Sequence, residues 1–241
     1  MMFLRVLVVV ALLLPVSSAV LADVARGRVF LDANGNGRRD SGERGVAGVK
    51  LSNGRDIAVS DASGRYRIEL SDGDTLFAIK PPGHAFPRRA NGLPDYWRHH
   101  FPKGSQALRY GRIAPVSARR SDFALLPDPD ENGERFEVLL FADPQVTDLR
   151  EVGYYERAIV APARRHAGVV LGLTMGDVVN DNLELYPALN RATASLRIPW
   201  LHAPGNHDLD FDVPDDAASL INFRRHFGPD TVAWEMPGHA F

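Results

Sequence analysis

The hydrophobic pattern of this chain changes period once, near residue 127, and that change limits what it can fold into. Before it, short apolar runs (28–31, 48–51, 66–70 and 76–80) are separated by turn formers such as Asn53-Gly54, Ser63-Gly64 and Asp72-Gly73. Runs so short, with no 3.6-residue repeat, bury an apolar face most readily as strands, so residues 23–126 are expected to form a small all-β sandwich domain. Residues 81–121, rich in Pro, Gly and aromatics, read as a long irregular excursion before a last strand near 123–126. Polar 127–135 reads as a linker. Beyond it, strand runs (136–141, 169–175, 198–203) alternate with helical ones (149–165, 183–196, 217–226). That alternation calls for βαβ connections and a largely parallel sheet, so 136–241 is expected to be α/β.

Residues 1–22 stand apart from both segments. Arg5 precedes an almost wholly apolar stretch, 6–16, which is too short to span a bilayer comfortably. Val20-Leu21-Ala22 then offers small or apolar residues where a signal peptidase reads. The expectation is a signal peptide, a mature chain beginning near Asp23 with no membrane span, and an exported protein, periplasmic or extracellular. The chain contains no cysteine, which excludes a thiol nucleophile, a thiolate metal site and disulfides. Its formal net charge of -2 gives no reason to expect nucleic acid as a partner. The pairs Arg119-Arg120 and Arg164-Arg165 read as solvated surface rather than a phosphate-binding stripe.

Three polar clusters each follow a predicted strand: Asp143-Pro144-Gln145, Gly176-Asp177, and Gly205-Asn206-His207-Asp208. In open α/β sheets, ligands bind beyond the carboxyl ends of the strands, so clusters at three successive strand ends converge in space. Carboxylate, amide oxygen and imidazole suit hard or borderline divalent cations. Gly176 and Gly205 let the backbone turn where a Cβ would crowd the site. Each cluster alone could be an ordinary turn; the three in this order carry the reading.

These motifs in residues 136–241 resemble those of the calcineurin-like metallophosphoesterases, which run Asp-x-His, Gly-Asp-x-x-Asp, then Gly-Asn-His-Asp or Glu. The closer likeness, through Phe141-Ala-Asp-Pro-Gln145, Gly176-Asp-Val-Val-Asn-Asp181 and Pro204-Gly-Asn-His-Asp208, is to exported bacterial members with an N-terminal β-domain. The resemblance implies half of a four-layer αββα sandwich and two divalent metals of the manganese, iron or zinc type. Asp143 and Gln145 would bind the first metal, Asp177 would bridge, and Asn206 would bind the second. His207 would stand by the phosphoryl group of a phosphoester substrate, with Asp208 orienting its ring. The metals would activate a water for attack on phosphorus.

Gln145 stands where the family has His, which favours manganese-like over zinc-like occupancy. Asn180 stands where Asp is common, with Asp181 beside it; both are candidates for supporting the ligands. The family's later His and its Gly-His-x-His do not occur by Phe241, and Gly238-His239-Ala240-Phe241 lacks the second His. The chain is therefore expected to hold only the first half of the site and to be inactive alone. The alternative is a non-catalytic calcium-binding β-module carrying a degenerate phosphoesterase remnant.

A second metal reading falls on Asp32, Asn34, Asn36, Arg38, Asp40 and Glu43, with Gly37 at the sharp turn, a spacing that fits a calcium loop at every position. With Gly27-Arg-Val-Phe-Leu31 before it and Gly45-Val-Ala-Gly-Val-Lys50 after, the segment looks like the B-type repeats of bacterial surface adhesins. Calcium would act there as a staple; a metal-free hairpin loop is the plain alternative. His99 and His100 are adjacent, so their side chains point apart and read as loop packing. His166 and His226 fall near predicted helix C-termini, where a cation is favourable. His202 lies within a strand and reads as core or as support for the site.

Overall fold

The computed structural model describes residues 23–128 and 135–241. The expected signal peptide, 1–22, and residues 129–134 of the expected linker lie outside the described residues.

The first part is β structure, as its short runs require. Its strands are β1 (Asp23–Leu31), β2 (Lys50–Ser52), β3 (Ile57–Val59), β4 (Arg65–Leu70), β5 (Asp74–Ala78), β6 (His84–Ala85), β7 (Trp97–His100) and β8 (Phe123–Pro127). They form two four-stranded sheets, ordered β4-β1-β8-β6 and β3-β2-β5-β7. Alternation decides which face is covered: Tyr66, Ile68 and Leu70 of β4 are buried while Arg65, Arg67 and Glu69 face solvent. Strand β5, flanked by β2 and β7, is buried at every position.

The stretch 81–121 is more regular than its composition implies, since β6 and β7 fall within it. Two to four residues are too few to show a period, and pairing with β5 is what organises β7. His99 and His100 do point apart. His99 Nδ1 meets Thr75 Oγ1 at 2.9 Å, and His100 Nε2 lies 3.2 Å from the Asp23 carboxylate.

The second part holds a three-stranded parallel sheet, β11-β10-β9, built from β9 (Glu137–Ala142), β10 (Val169–Met175) and β11 (Trp200–Ala203). Its helices are α1 (Leu149–Tyr155), α2 (Ala161–Ala163), α3 (Tyr186–Ala194) and α4 (Ile221–Phe227), and a short hairpin of β12 (Glu235–Met236) and β13 (His239–Ala240) follows. Asp148 caps α1 by accepting from Glu151 N at 2.9 Å, and Glu151 reaches back to Thr147 N at 2.7 Å. A π turn, Glu156–Val160, joins α1 to α2 just before Pro162, whose ring offers no N–H.

Helices cover one face of this sheet, where Phe141 packs against Tyr155 and Trp200 at 6.0 and 4.7 Å between ring centroids. Gly172 is required there, because a Cβ would lie 2.0 Å from the Trp200 ring. The other face stays partly open: Leu140 and Met175 are 61% and 53% exposed.

The change of secondary structure near residue 127 does not divide the core. Trp234, 2% exposed, packs its ring on Phe86 and Tyr96 from the first part. The Arg88 guanidinium donates to the Arg197 and Ile198 carbonyls, and Asn190 Nδ2 donates to the Asn91 carbonyl. Among the described residues, no helix is long and apolar enough to cross a membrane.

Candidate metal centre

The three parallel strands end side by side, and the loops that follow them remain joined. Gln145 N donates to the Asp177 carbonyl at 2.8 Å, and Asn180 N donates to the Val146 carbonyl at 3.0 Å. His207 N donates to Asp177 Oδ1 at 3.0 Å, and Asp181 N to the His207 carbonyl at 3.1 Å. The clusters around Asp143, Asp177 and His207 are therefore one surface, as their strand-end positions imply.

Backbone conformation sets this surface apart. Among the described residues, the non-glycine residues with left-handed backbone are Asp143 (φ 53°), Gln145 (φ 45°), Asp177 (φ 44°), Asp181 (φ 59°) and Arg197 (φ 60°). All but Arg197 lie in these loops. Left-handed residues other than glycine persist only where surrounding structure enforces them, and they gather at functional sites. Gly205 is needed for a different reason: a Cβ there would lie 2.0 Å from Asp177 Oδ1 and 2.3 Å from Asp177 N.

Asp208 departs from its expected part. It is fully buried, with Oδ2 accepting from Gly205 N and Val178 N at 2.8 and 3.0 Å. Oδ1 accepts from Val179 N at 3.3 Å and from the Tyr186 hydroxyl at 3.1 Å. Burial pushes its carboxyl up from the usual range, and the N–H groups of Gly205 and Val178 pull it back. It staples two strand-end loops together and does not orient the His207 ring. Asp181 does that, with its Oδ1 2.9 Å from His207 Nδ1. That hydrogen bond raises the His207 pKa, and the charges of Asp181, Asp177 and Asp143 add to the effect.

The donor set of Asp143, Gln145, Asp177 and Asn206 is all oxygen, as hard divalent cations prefer. Asp143 and Asn206 are exposed, Gln145 and Asp177 are partly exposed, and Gly205 packs its backbone directly against Asp177. The joined loops carry carboxylate and amide oxygens, donor types that a divalent cation takes. Among the described residues, no group of three or more His, Cys, Asp or Glu could hold a metal ion.

Sequence reasoning missed two neighbours of the site. Tyr186 sits at the start of α3, and burial pushes its phenol pKa up, with Asp208 adding to the shift. Tyr110, from the first part of the chain, donates its hydroxyl to the Asp181 carbonyl at 3.2 Å. Neither has a local signal, since a tyrosine in such positions reads as packing. Two histidines also differ from expectation. Burial drives His226 down to about 4, with the Arg225 charge acting the same way, so it is not the cation expected at a helix end. His202 is buried, with neither ring nitrogen hydrogen-bonded, and desolvation lowers it to about 3.

The loop between β1 and β2 closes on itself. Asp32, 1% exposed, accepts from Gly35 N, Asn36 N and Gly37 N at 2.8, 3.2 and 2.7 Å. Glu43 accepts from Ala33 N and Asp40 N at 2.9 and 2.8 Å. Asn34 and Asn36 both direct side-chain amides to Asp40. The oxygens of Asp32, Asn34, Asn36, Asp40 and Glu43 thus belong to one turn, with Arg38 within it.

Residues 33–110 match the family model described as the N terminal of Calcineurin-like phosphoesterase. The matched segment lies in the first part of the chain, separate from the motifs at the strand ends. A stretch of 87 residues is 37% identical to Colossin-A of Dictyostelium discoideum, covering 35% of this chain. The chain spans about 1% of the length of that relative.

Proposed function

We propose that the chain contributes Asp143, Gln145, Asp177, Asn206 and His207 to a dinuclear site that hydrolyses a phosphoester. The observation that carries this is the joining of three strand-end loops by hydrogen bonds, with left-handed, oxygen-bearing residues clustered on two of them, around 143–145 and 177–181. Bound cations would supply a water of lowered pKa and charge stabilisation at phosphorus. The protein's own groups do the rest. Asp177, fixed by His207 N, would hold the cations together with Asp143, Gln145 and Asn206. Asp181 holds His207 by Nδ1, which leaves Nε2 to face the phosphoryl group and to give a proton to the leaving oxygen.

The half-open sheet supports the finer fold reading, in which a second sheet packs on Leu140 and Met175 to make a four-layer sandwich. In this reading residues 1–22 export the protein, and N-terminal sequencing of exported material should begin at Asp23. Manganese-dependent hydrolysis of an aryl phosphate by the intact gene product tests the chemistry. Asp177→Ala should abolish it, and unchanged turnover would remove Asp177 from the site.

One observation favours the second reading, a calcium-binding β-module with a remnant site: His207 is the sole imidazole in these three loops. Calcium at the Asp32–Glu43 loop should raise the melting temperature under either reading. A calcium-dependent shift without any manganese-dependent turnover supports the module.

A further inference from the structure

We propose that the outer face of the β4-β1-β8 sheet binds a linear polyanion that carries no stacking bases. The arginines responsible are scattered in sequence, and pairing of the strands brings them together. Arg26 of β1 lies opposite Arg67 of β4 and bridges in parallel to Arg120, so one row across the sheet reads Arg67, Arg26, Arg120. The next row sets Arg28 opposite Arg65, with Asp122 accepting from Arg28 N at 2.7 Å. A cleft of about 480 Å³ is lined by Arg26, Arg28, Arg39, Arg65 and Arg120, with Asp122 at its wall, and Arg67 stands outside it.

Directly opposed like charges disfavour a sheet, so this arrangement lowers the stability of the free domain. Five of the six guanidiniums are on exposed residues and Arg28 is partly exposed. Among the described residues, none of the six lies within ion-pair distance of a carboxylate. The chain as a whole has net charge -2, so this is a local concentration and not a generally basic protein. Strands about 4.8 Å apart and alternate residues about 7 Å apart place the charges on a grid of polymer-repeat dimensions. Forked guanidiniums recognise carboxylate, sulfate and phosphate oxygens in pairs.

The same face argues against bases as the ligand. Between Arg65 and Arg67, Tyr66 turns to the buried side of β4, 5% exposed and with its hydroxyl donating to the Ser121 carbonyl, so it offers no ring for stacking. The ligand class is therefore an acidic polymer bound through its oxyanions, whether the groups are glycan sulfates and carboxylates or linked phosphates.

The test measures binding of the full chain to labelled heparin, polyphosphate, duplex DNA and phosphatidylglycerol vesicles. Heparin or polyphosphate should bind, with affinity falling about tenfold or more between 50 and 200 mM salt, as expected when several charges are neutralised. Preference between those two identifies the oxyanion. Arg26→Ala/Arg67→Ala/Arg120→Ala should weaken binding at least ~10-fold, and the glutamine equivalents should do the same with the strand surface better preserved. Arg165→Ala/Arg191→Ala, an exposed pair elsewhere, should stay within about twofold. Absence of binding to both polymers, equal losses in the two variants, or tighter binding of DNA or vesicles would overturn the proposal.

Discussion

Asp208→Asn separates a scaffolding role for this carboxylate from the ring-orienting role that its motif implies. The replacement keeps the shape and leaves one oxygen. Turned toward Gly205 N and Val178 N, that oxygen preserves the bonds at 2.8 and 3.0 Å. The new amide then faces Val179 N at 3.3 Å, donor against donor, while the Tyr186 hydroxyl can turn to accept from it. One buried N–H without an acceptor costs about 1–3 kcal/mol, and two charge-assisted bonds made neutral lose roughly 1 kcal/mol each. Relief from burying a charge offsets part of this, which leaves a net loss of about 2–4 kcal/mol. With a urea m-value near ~2 kcal/mol/M, the unfolding midpoint should fall by about 1–2 M at unchanged slope. Asp208→Ala should fall further. A midpoint within about 0.3 M of the parent, together with a large loss of hydrolysis, would refute the scaffolding argument and return Asp208 to the His207 ring.

Gly205→Ala forces a methyl group against Asp177 N at 2.3 Å, and should lower stability by about 1–3 kcal/mol and weaken manganese binding measured by calorimetry. Trp234→Ala removes the ring that joins both parts of the core; a loss of about 3–5 kcal/mol and two resolved transitions in calorimetry are expected. His99, His202 and His226 are held by burial at about 4, 3 and 4, below the ordinary 6.5. The unfolded chain therefore binds more protons as pH falls from about 6.5 toward 4, so stability is full above that window and declines through it. Melting temperatures from pH 7.5 to 4.5 should show the decline, and His202→Leu should flatten it.

The legible features were those with local causes. Strand β10 was readable to its ends because Val169–Met175 is a largely apolar run that Gly168 precedes and Gly176-Asp177 follows. The metal-ligand candidates were readable because each follows such a run. What could not be read depends on contacts distant in sequence. Strand β7 exists through pairing with β5, and the Tyr110–Asp181 contact depends on how two separately readable segments dock. The arginine rows required a register, and the pair Arg119-Arg120 showed nothing of Arg26 or Arg67. Asp208 was misread because a motif names a residue and leaves open which way its side chain turns.

The left-handed aspartates and glutamine have a consequence for how this protein responds to selection in the laboratory. Glycine relieves such strain, by roughly 1 kcal/mol or more per position. A library at 143, 145, 177 and 181 sorted only for folded, protease-resistant protein should therefore drift to glycine, shedding every one of those oxygen donors. Sorting the same library for cation-dependent function should hold the parental residues. Where the two enrichments diverge most, the chain is trading durability for chemistry, and Gln145, the bulkiest of the four, should diverge furthest.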